Sequence, residues 1–154
     1  MKFKQISNKN PIAEVIQSAF DTKLSLSGGW GYLQENASVI EKNEQGVPLS
    51  QFEHMLASMR AYLEMNMTLD EFERYGSINL NELSRETIEE NGKRFDKVTY
   101  EISAMKESTY AAFINEYKEG YGKESFDLQK HFERRKEETL TKIVNYWFEI
   151  SKIV

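Results

Sequence analysis

Between Phe95 and Ala104 the chain alternates strictly: Val98, Tyr100, Ile102 and Ala104 fall on one side, Thr99, Glu101 and Ser103 on the other. A period of two belongs to a β-strand with one buried face, and such a strand needs both a neighbour to pair with and a layer to cover it. A sheet packed under helices is therefore the first expectation. The expected pairing partner is Lys23 to Ser27, where Leu24 and Leu26 face away from Lys23, Ser25 and Ser27. A weaker alternation at Ser77 to Leu80, carried by Ile78 and Leu80, suggests a short edge strand.

Helical spacing occupies most of the remainder. Asn10-Pro11 opens a helix with Ile12, Val15, Ile16, Ala19 and Phe20 on one stripe, because proline at the first helical position loses only an N–H that has no partner there. Pro48 opens a second, whose inner face of Phe52, Met55, Leu56, Met59 and Leu63 runs to about Met65. Short helices are expected at Gln34 to Asn43, from the Thr68-Leu69-Asp70-Glu71 capping pattern to Gly76, and from Ser84 to Asn91-Gly92. Tyr110, Phe113, Ile114 and Tyr117 mark a further helix closed by Gly120. Finally, Leu128, Phe132, Leu140, Ile143, Val144, Trp147 and Ile150 predict one long C-terminal helix starting near Ser125. No Pro or Gly interrupts it, and its centre from Glu133 to Glu138 is entirely charged, so a kink or projection is expected there.

The fold class that follows is α+β and helix-dominated, with a small, mainly antiparallel sheet and the long C-terminal helix laid across it; an all-helical bundle is the alternative. At 154 residues, against roughly 150 per domain, a single globular domain over 1–154 is expected.

Composition narrows function by exclusion. With 20 bases against 25 acids the formal charge is -5, whereas binding a phosphate backbone needs a basic face, so nucleic acid is a poor partner. The absence of cysteine excludes disulfides, thiolate zinc sites, iron–sulfur clusters and cysteine nucleophiles. The basic opening run Met1 to Asn10 has no apolar stretch behind it, and the longest apolar stretch, Tyr110 to Ile114, is far below the ~20 residues of a membrane span. The expectation is a soluble cytoplasmic protein, with the Lys, Glu, Asn and Ile usage of an AT-rich bacterial genome.

No motif fixes a reaction. Leu26-Ser27-Gly28-Gly29-Trp30-Gly31-Tyr32 runs from a strand into glycines, the setting in which backbone N–H groups can cradle a ligand, so Gly28, Gly29, Trp30, Gly31 and Tyr32 are the candidate ligand-binding residues. The run matches neither the dinucleotide fingerprint nor the phosphate loop, and a packed turn capped by Trp30 and Tyr32 is its ordinary reading. His54 and His131 are the only histidines; neither lies in a metal-binding spacing, and both read as boundary or surface residues. No metal or cofactor is implied. The methionines at 55, 59, 65 and 67 and the tyrosines at 110, 117 and 121 read as packing.

Charge is distributed unevenly. From Glu64 to Glu90 stand Glu64, Asp70, Glu71, Glu73, Glu82, Glu86, Glu89 and Glu90 against Arg74 and Arg85, a net of -6, which leaves about +1 for the rest of the chain. An acidic surface steers a basic partner, so the favoured function is a non-enzymatic interaction module, of the immunity-type or adaptor kind, binding a basic protein through these eight acids. A ligand-binding protein or enzyme with its pocket at Gly28 to Tyr32 is the alternative, and a homodimer built on the long helix is a third reading.

Overall fold

In a computed structural model of the protein, residues 1, 4–7 and 9–154 are described; Lys2, Phe3 and Asn8 of the basic opening run lie outside the described residues. The first helix, α1 (Ile12–Phe20), follows Pro11 and buries Ile12 and Ile16. A short strand β1 (Leu26–Gly28) and a 3-10 turn (Gln34–Asn36) lead to β2 (Ser38–Ile40) and the twenty-residue helix α2 (Leu49–Thr68). A second 3-10 turn (Glu71–Glu73) precedes the long hairpin β3 (Tyr75–Glu90) and β4 (Lys93–Lys106). Helices α3 (Glu107–Gly120) and α4 (Leu128–Glu138) come next, and β5 (Leu140–Glu149) ends the fold.

The five strands form one sheet in the order β1-β2-β5-β4-β3. Three of its pairings are antiparallel, and β2 with β5 is parallel, so the sheet is mixed. Alternation along β4 and β5 turns Val98, Tyr100, Ile102, Tyr146 and Phe148 to one face, where α1 and α2 close the core over them. The opposite face is polar and open, with Thr141, Ile143 and Asn145 of β5 exposed.

The α+β class stands, and the sheet overturns the all-helical alternative. The long C-terminal helix is corrected: α4 stops at Glu138, and Leu140–Glu149 is instead a strand paired along ten residues of β4. The all-charged stretch Glu133 to Glu138 is the end of a helix, not its middle. Beyond it come Ile143, Val144, Tyr146, Trp147 and Phe148, β-branched and aromatic residues that suit a pleated surface.

Four further expectations change. The short helix expected at Gln34 to Asn43 is only the 3-10 turn Gln34–Asn36, followed by the strand β2 at Ser38–Ile40. The Lys23 to Ser27 alternation supplies only β1 from Leu26, and it pairs with β2 instead of β4. The Ser84 to Asn91 stretch belongs to β3, and Asn91-Gly92, with φ of 52° and 76°, is the left-handed two-residue turn of a hairpin. The charged pairs Glu89 with Arg94 and Glu90 with Lys93 are cross-strand neighbours there. The capping pattern at Thr68 starts no new helix, because Thr68 is the last residue of α2 and its hydroxyl donates back to the Glu64 carbonyl at 2.6 Å.

Candidate functional site

The glycine loop is filled by protein. Gly31 sits at φ 73°, and a Cβ there would lie 2.3 Å from the Tyr146 ring; at Gly28, φ 77°, it would lie 2.3 Å from the Ala37 carbonyl oxygen. Trp30 is buried, and the Tyr32 hydroxyl accepts from the Ile6 amide at 2.9 Å and donates to Glu64 at 2.8 Å. The glycines thus let backbone press against a ring and a carbonyl; an open depression of about 380 Å³ lies beside Gly28, Gly29 and Trp30, and another of about 560 Å³ runs from Gly28 past Gln34 and Val39 to Glu90 and Lys93.

Beneath the loop, α2 turns a charged stripe inward. Glu53, Arg60 and Glu64 are all buried at helical spacing, on the same helix as buried Leu56, Ala57 and Ala61. Arg60 is held between the rings of Tyr32 and Tyr146 and donates to the carbonyls of Trp30, at 3.0 Å, and Asn145, at 2.8 Å. Burial raises the Glu64 carboxyl above its ordinary range, against the pull of Arg60 and the Tyr32 hydroxyl. Sequence reasoning missed this stripe because it followed the apolar residues alone. The available signal was Glu53, Arg60 and Glu64 recurring at seven and four residues, the spacing of one helical face.

At the other end of the stripe, Arg85 of β3 donates to Glu53 at 2.6 Å, to Asp96 of β4 at 3.1 Å and to Glu82 at 2.8 Å. Asp96 also accepts from the Thr87 hydroxyl at 2.7 Å. Glu53 is pushed up to about 8, first by burial and then by the neighbouring Asp96, with Arg85 opposing.

The histidines serve separate places. His54, half buried, sets Nε2 3.0 Å from the Leu80 carbonyl oxygen and its ring edge-on to Tyr100. His131 is not at the surface: it is fully buried between α3 and α4, among Phe113, Tyr117, Phe126 and Phe132, with Nδ1 3.1 Å from Glu116. Arg134 donates to the same Glu116 carboxylate. Among the described residues no group of three or more His, Asp or Glu side chains is arranged to hold a metal ion, and no helix is long and apolar enough to cross a membrane.

The eight acids of the Glu64 to Glu90 window divide into distinct settings. Glu64 is inside, on Tyr32. Glu82 stands opposite Tyr100 on the core side and pairs with Arg85, whereas Glu86 stands opposite Lys97, whose ammonium lies over the Trp147 ring on the open face. At the hairpin tip Glu89 pairs with Arg94, and Glu90 accepts from Gln34 at 2.8 Å. Asp70, Glu71 and Glu73 lie at the opposite end of β3, which at ~3.3 Å per residue places the two groups roughly 50 Å apart along the strand.

Asp70, Glu71 and Glu73 do stay together, on a turn anchored at both ends. The Leu69 amide closes α2 on the Met65 carbonyl at 3.1 Å, the Glu73 amide donates to Asp70 at 2.9 Å, and the Arg74 carbonyl accepts from the Glu107 amide at 3.1 Å. Between Glu71 and Glu73 the turn presents Phe72, which is 92% exposed while its neighbours Leu69 and Tyr75 pack on the core. Sequence reasoning passed over Phe72 because it treated the segment as a helix. No family model, curated protein or solved structure matches the chain.

Proposed function

We propose that the protein is a non-catalytic docking module that binds a basic protein partner through the Asp70–Glu73 turn, with Phe72 as the apolar anchor. The observation that carries this reading is the exposure of Phe72 on a backbone-fixed turn between carboxylates. Leaving a phenylalanine in water forgoes about 1.5–3 kcal/mol that burial would supply. Aromatic side chains that enter a partner's pocket dominate binding energies, and charges at the rim guide encounter and register. Asp70, Glu71 and Glu73 supply such a rim, for a partner surface carrying Lys or Arg around an apolar pocket. The immunity-type or adaptor role in a bacterial cytoplasm is the biological form of this reading. The glycine loop lacks an observation that favours a ligand.

The test is capture of binding proteins from the native cell by immobilised wild type, Phe72→Ala, Glu71→Lys/Glu73→Lys and Glu86→Lys/Glu90→Lys proteins, each with its melting temperature recorded. The expected result is a basic protein, released by salt, that is lost from the first two variants and kept by the third. Equal capture by wild type and by folded Phe72→Ala and Glu71→Lys/Glu73→Lys proteins would overturn the reading.

A further inference from the structure

Beyond Leu80, β3 is an edge strand whose residues Asn81 to Thr87 are all exposed, and the apolar hold of its outer half is half-buried Ile88, opposite Phe95. This half is kept in place by the ladder to β4, by the charged contacts of Arg85 with Glu53 of α2, Asp96 of β4 and Glu82 of its own strand, and by the hydrogen bonds of Thr87 to Asp96 and of Gln34 to Glu90. Glu53 is fully buried and Asp96 nearly so, and the second oxygen of Glu53, Oε2, has no hydrogen-bond partner. Facing the same seam are Tyr100 of β4, whose buried hydroxyl also lacks a partner, and His54 of α2, which lies against Tyr100 and the Leu80 carbonyl.

One guanidinium therefore meets three carboxylates, two of which are out of water. Two buried carboxylates beside one guanidinium nitrogen cannot both ionise without a large desolvation cost, so one keeps its proton. Glu53 is that one, since its ionisation is pushed up to about 8. When the seam opens, water returns and Glu53 falls back toward the ordinary glutamate value of about 4.3.

We propose that the outer half of β3, the edge strand of the hairpin, is a proton-gated flap, which closes on α2 and β4 by taking up one proton that Glu53 holds against Asp96. The closed form binds more protons than the open form between the ordinary glutamate range and about pH 8. Raising the pH through that window therefore favours opening, by up to about tenfold per unit, and the effect levels off above it. The flap is tight in acid and loosens toward neutrality, carrying Glu86, Glu89 and Glu90 with it.

Native-state hydrogen exchange, expressed as protection factors corrected for intrinsic rates at pH 5.5, 6.5 and 7.5, tests this directly. In the wild type those amides from Ser84 to Glu90 that bond to β4 should lose up to about tenfold in protection per unit, while those of α1 and of β5 at Tyr146 and Phe148 change less. In Glu53→Gln, which keeps a neutral carboxamide in place of the protonated acid, the dependence should vanish. His54 and His131 remain in that variant, so a histidine origin would leave the dependence intact and overturn the proposal. Uniform loss of protection over the whole chain, or none, would also overturn it. If Glu53→Gln does not fold, Asp96→Asn removes the same conflict and should flatten the profile. Carboxyl-carbon NMR of the wild type needs no variant: Glu53 titrating near 4.3 rejects the flap, and titration above 7 supports it.

Discussion

The guanidinium of Arg60 lies 4.1 Å from the centroid of the Tyr146 ring, so a charge on α2 is seated against an aromatic of β5 at the centre of the core. Tyr32 covers its other side at 4.4 Å, and two carbonyls, from Trp30 and Asn145, take its N–H groups. A planar, five-donor group suits this slot, and an ammonium does not.

Removing that charge takes from buried Glu64 the larger of two cationic attractions, those of Arg60 and Lys142, and leaves two carbonyls without donors. Arg60→Met should cost about 2–6 kcal/mol, from two carbonyls left unsatisfied at about 1–3 kcal/mol each. Arg60→Met/Glu64→Met should recover the share that comes from Glu64, because that carboxylate goes too. Urea melts of the three proteins give the answer; equal midpoints for the single and double variants would show that Glu64 has no share in the loss.

Gly31 and Gly46 separate two reasons for a glycine. Both have positive φ, 73° and 64°, yet a Cβ at Gly31 meets the Tyr146 ring, whereas one at Gly46 meets nothing within 4 Å. Gly46→Ala should cost only the left-handed backbone term of ~1–2 kcal/mol. Gly31→Ala adds overpacking of ~1–3 kcal/mol and should give the lower melting temperature of the two.

The hairpin turn offers a sharper contrast within two residues. Asn91 and Gly92 hold φ of 52° and 76°, as a two-residue turn between right-twisted strands requires, and Gly92 has open space around its Cα. Asn91→Gly should be nearly silent. Gly92→Val, a β-branched residue forced to positive φ, should lower the melting temperature and shift the Glu89–Arg94 and Glu90–Lys93 pairings, which cross-strand NOEs would report.

What the sequence made legible follows from which period dominates locally. The alternation of β4 and the stripes of α1, α2 and α3 are uncontested, and each forms close to where it is expected. β5 is different, because Leu140, Ile143, Val144, Trp147 and Ile150 satisfy helical spacing while Val144, Tyr146, Phe148 and Ile150 satisfy alternation. Tertiary pairing with β4 decides between them, and pairing is invisible to a local window. Asn91-Gly92 is ambiguous in the same way, since asparagine and glycine end helices and also turn hairpins. At the candidate site, Asp70, Glu71 and Glu73 stay grouped because the 3-10 turn is contiguous. Glu64, Glu82 and Glu86 separate because a helix face and a strand's two faces distribute neighbours in sequence to opposite environments.

His131 is the only buried residue of α4, so the attachment of that helix to α3 depends on an imidazole packed among four aromatic rings. Its Nε2 has no partner, and its Nδ1 meets a Glu116 carboxylate that Arg134 also holds. The ring's volume therefore matters more than its polarity. His131→Ala should open a cavity costing about 3 kcal/mol and loosen the helix pair locally. His131→Phe keeps an aromatic ring, leaves Glu116 to Arg134, and should cost less than about 1.5 kcal/mol. Hydrogen exchange would locate the effect: protection from Phe113 to Tyr117 and from His131 to Arg135 should fall in the alanine variant, while Val98 and Tyr146 amides keep theirs. A phenylalanine variant as damaged as the alanine one would show that the Glu116 contact, and not the packing, holds α4 in place.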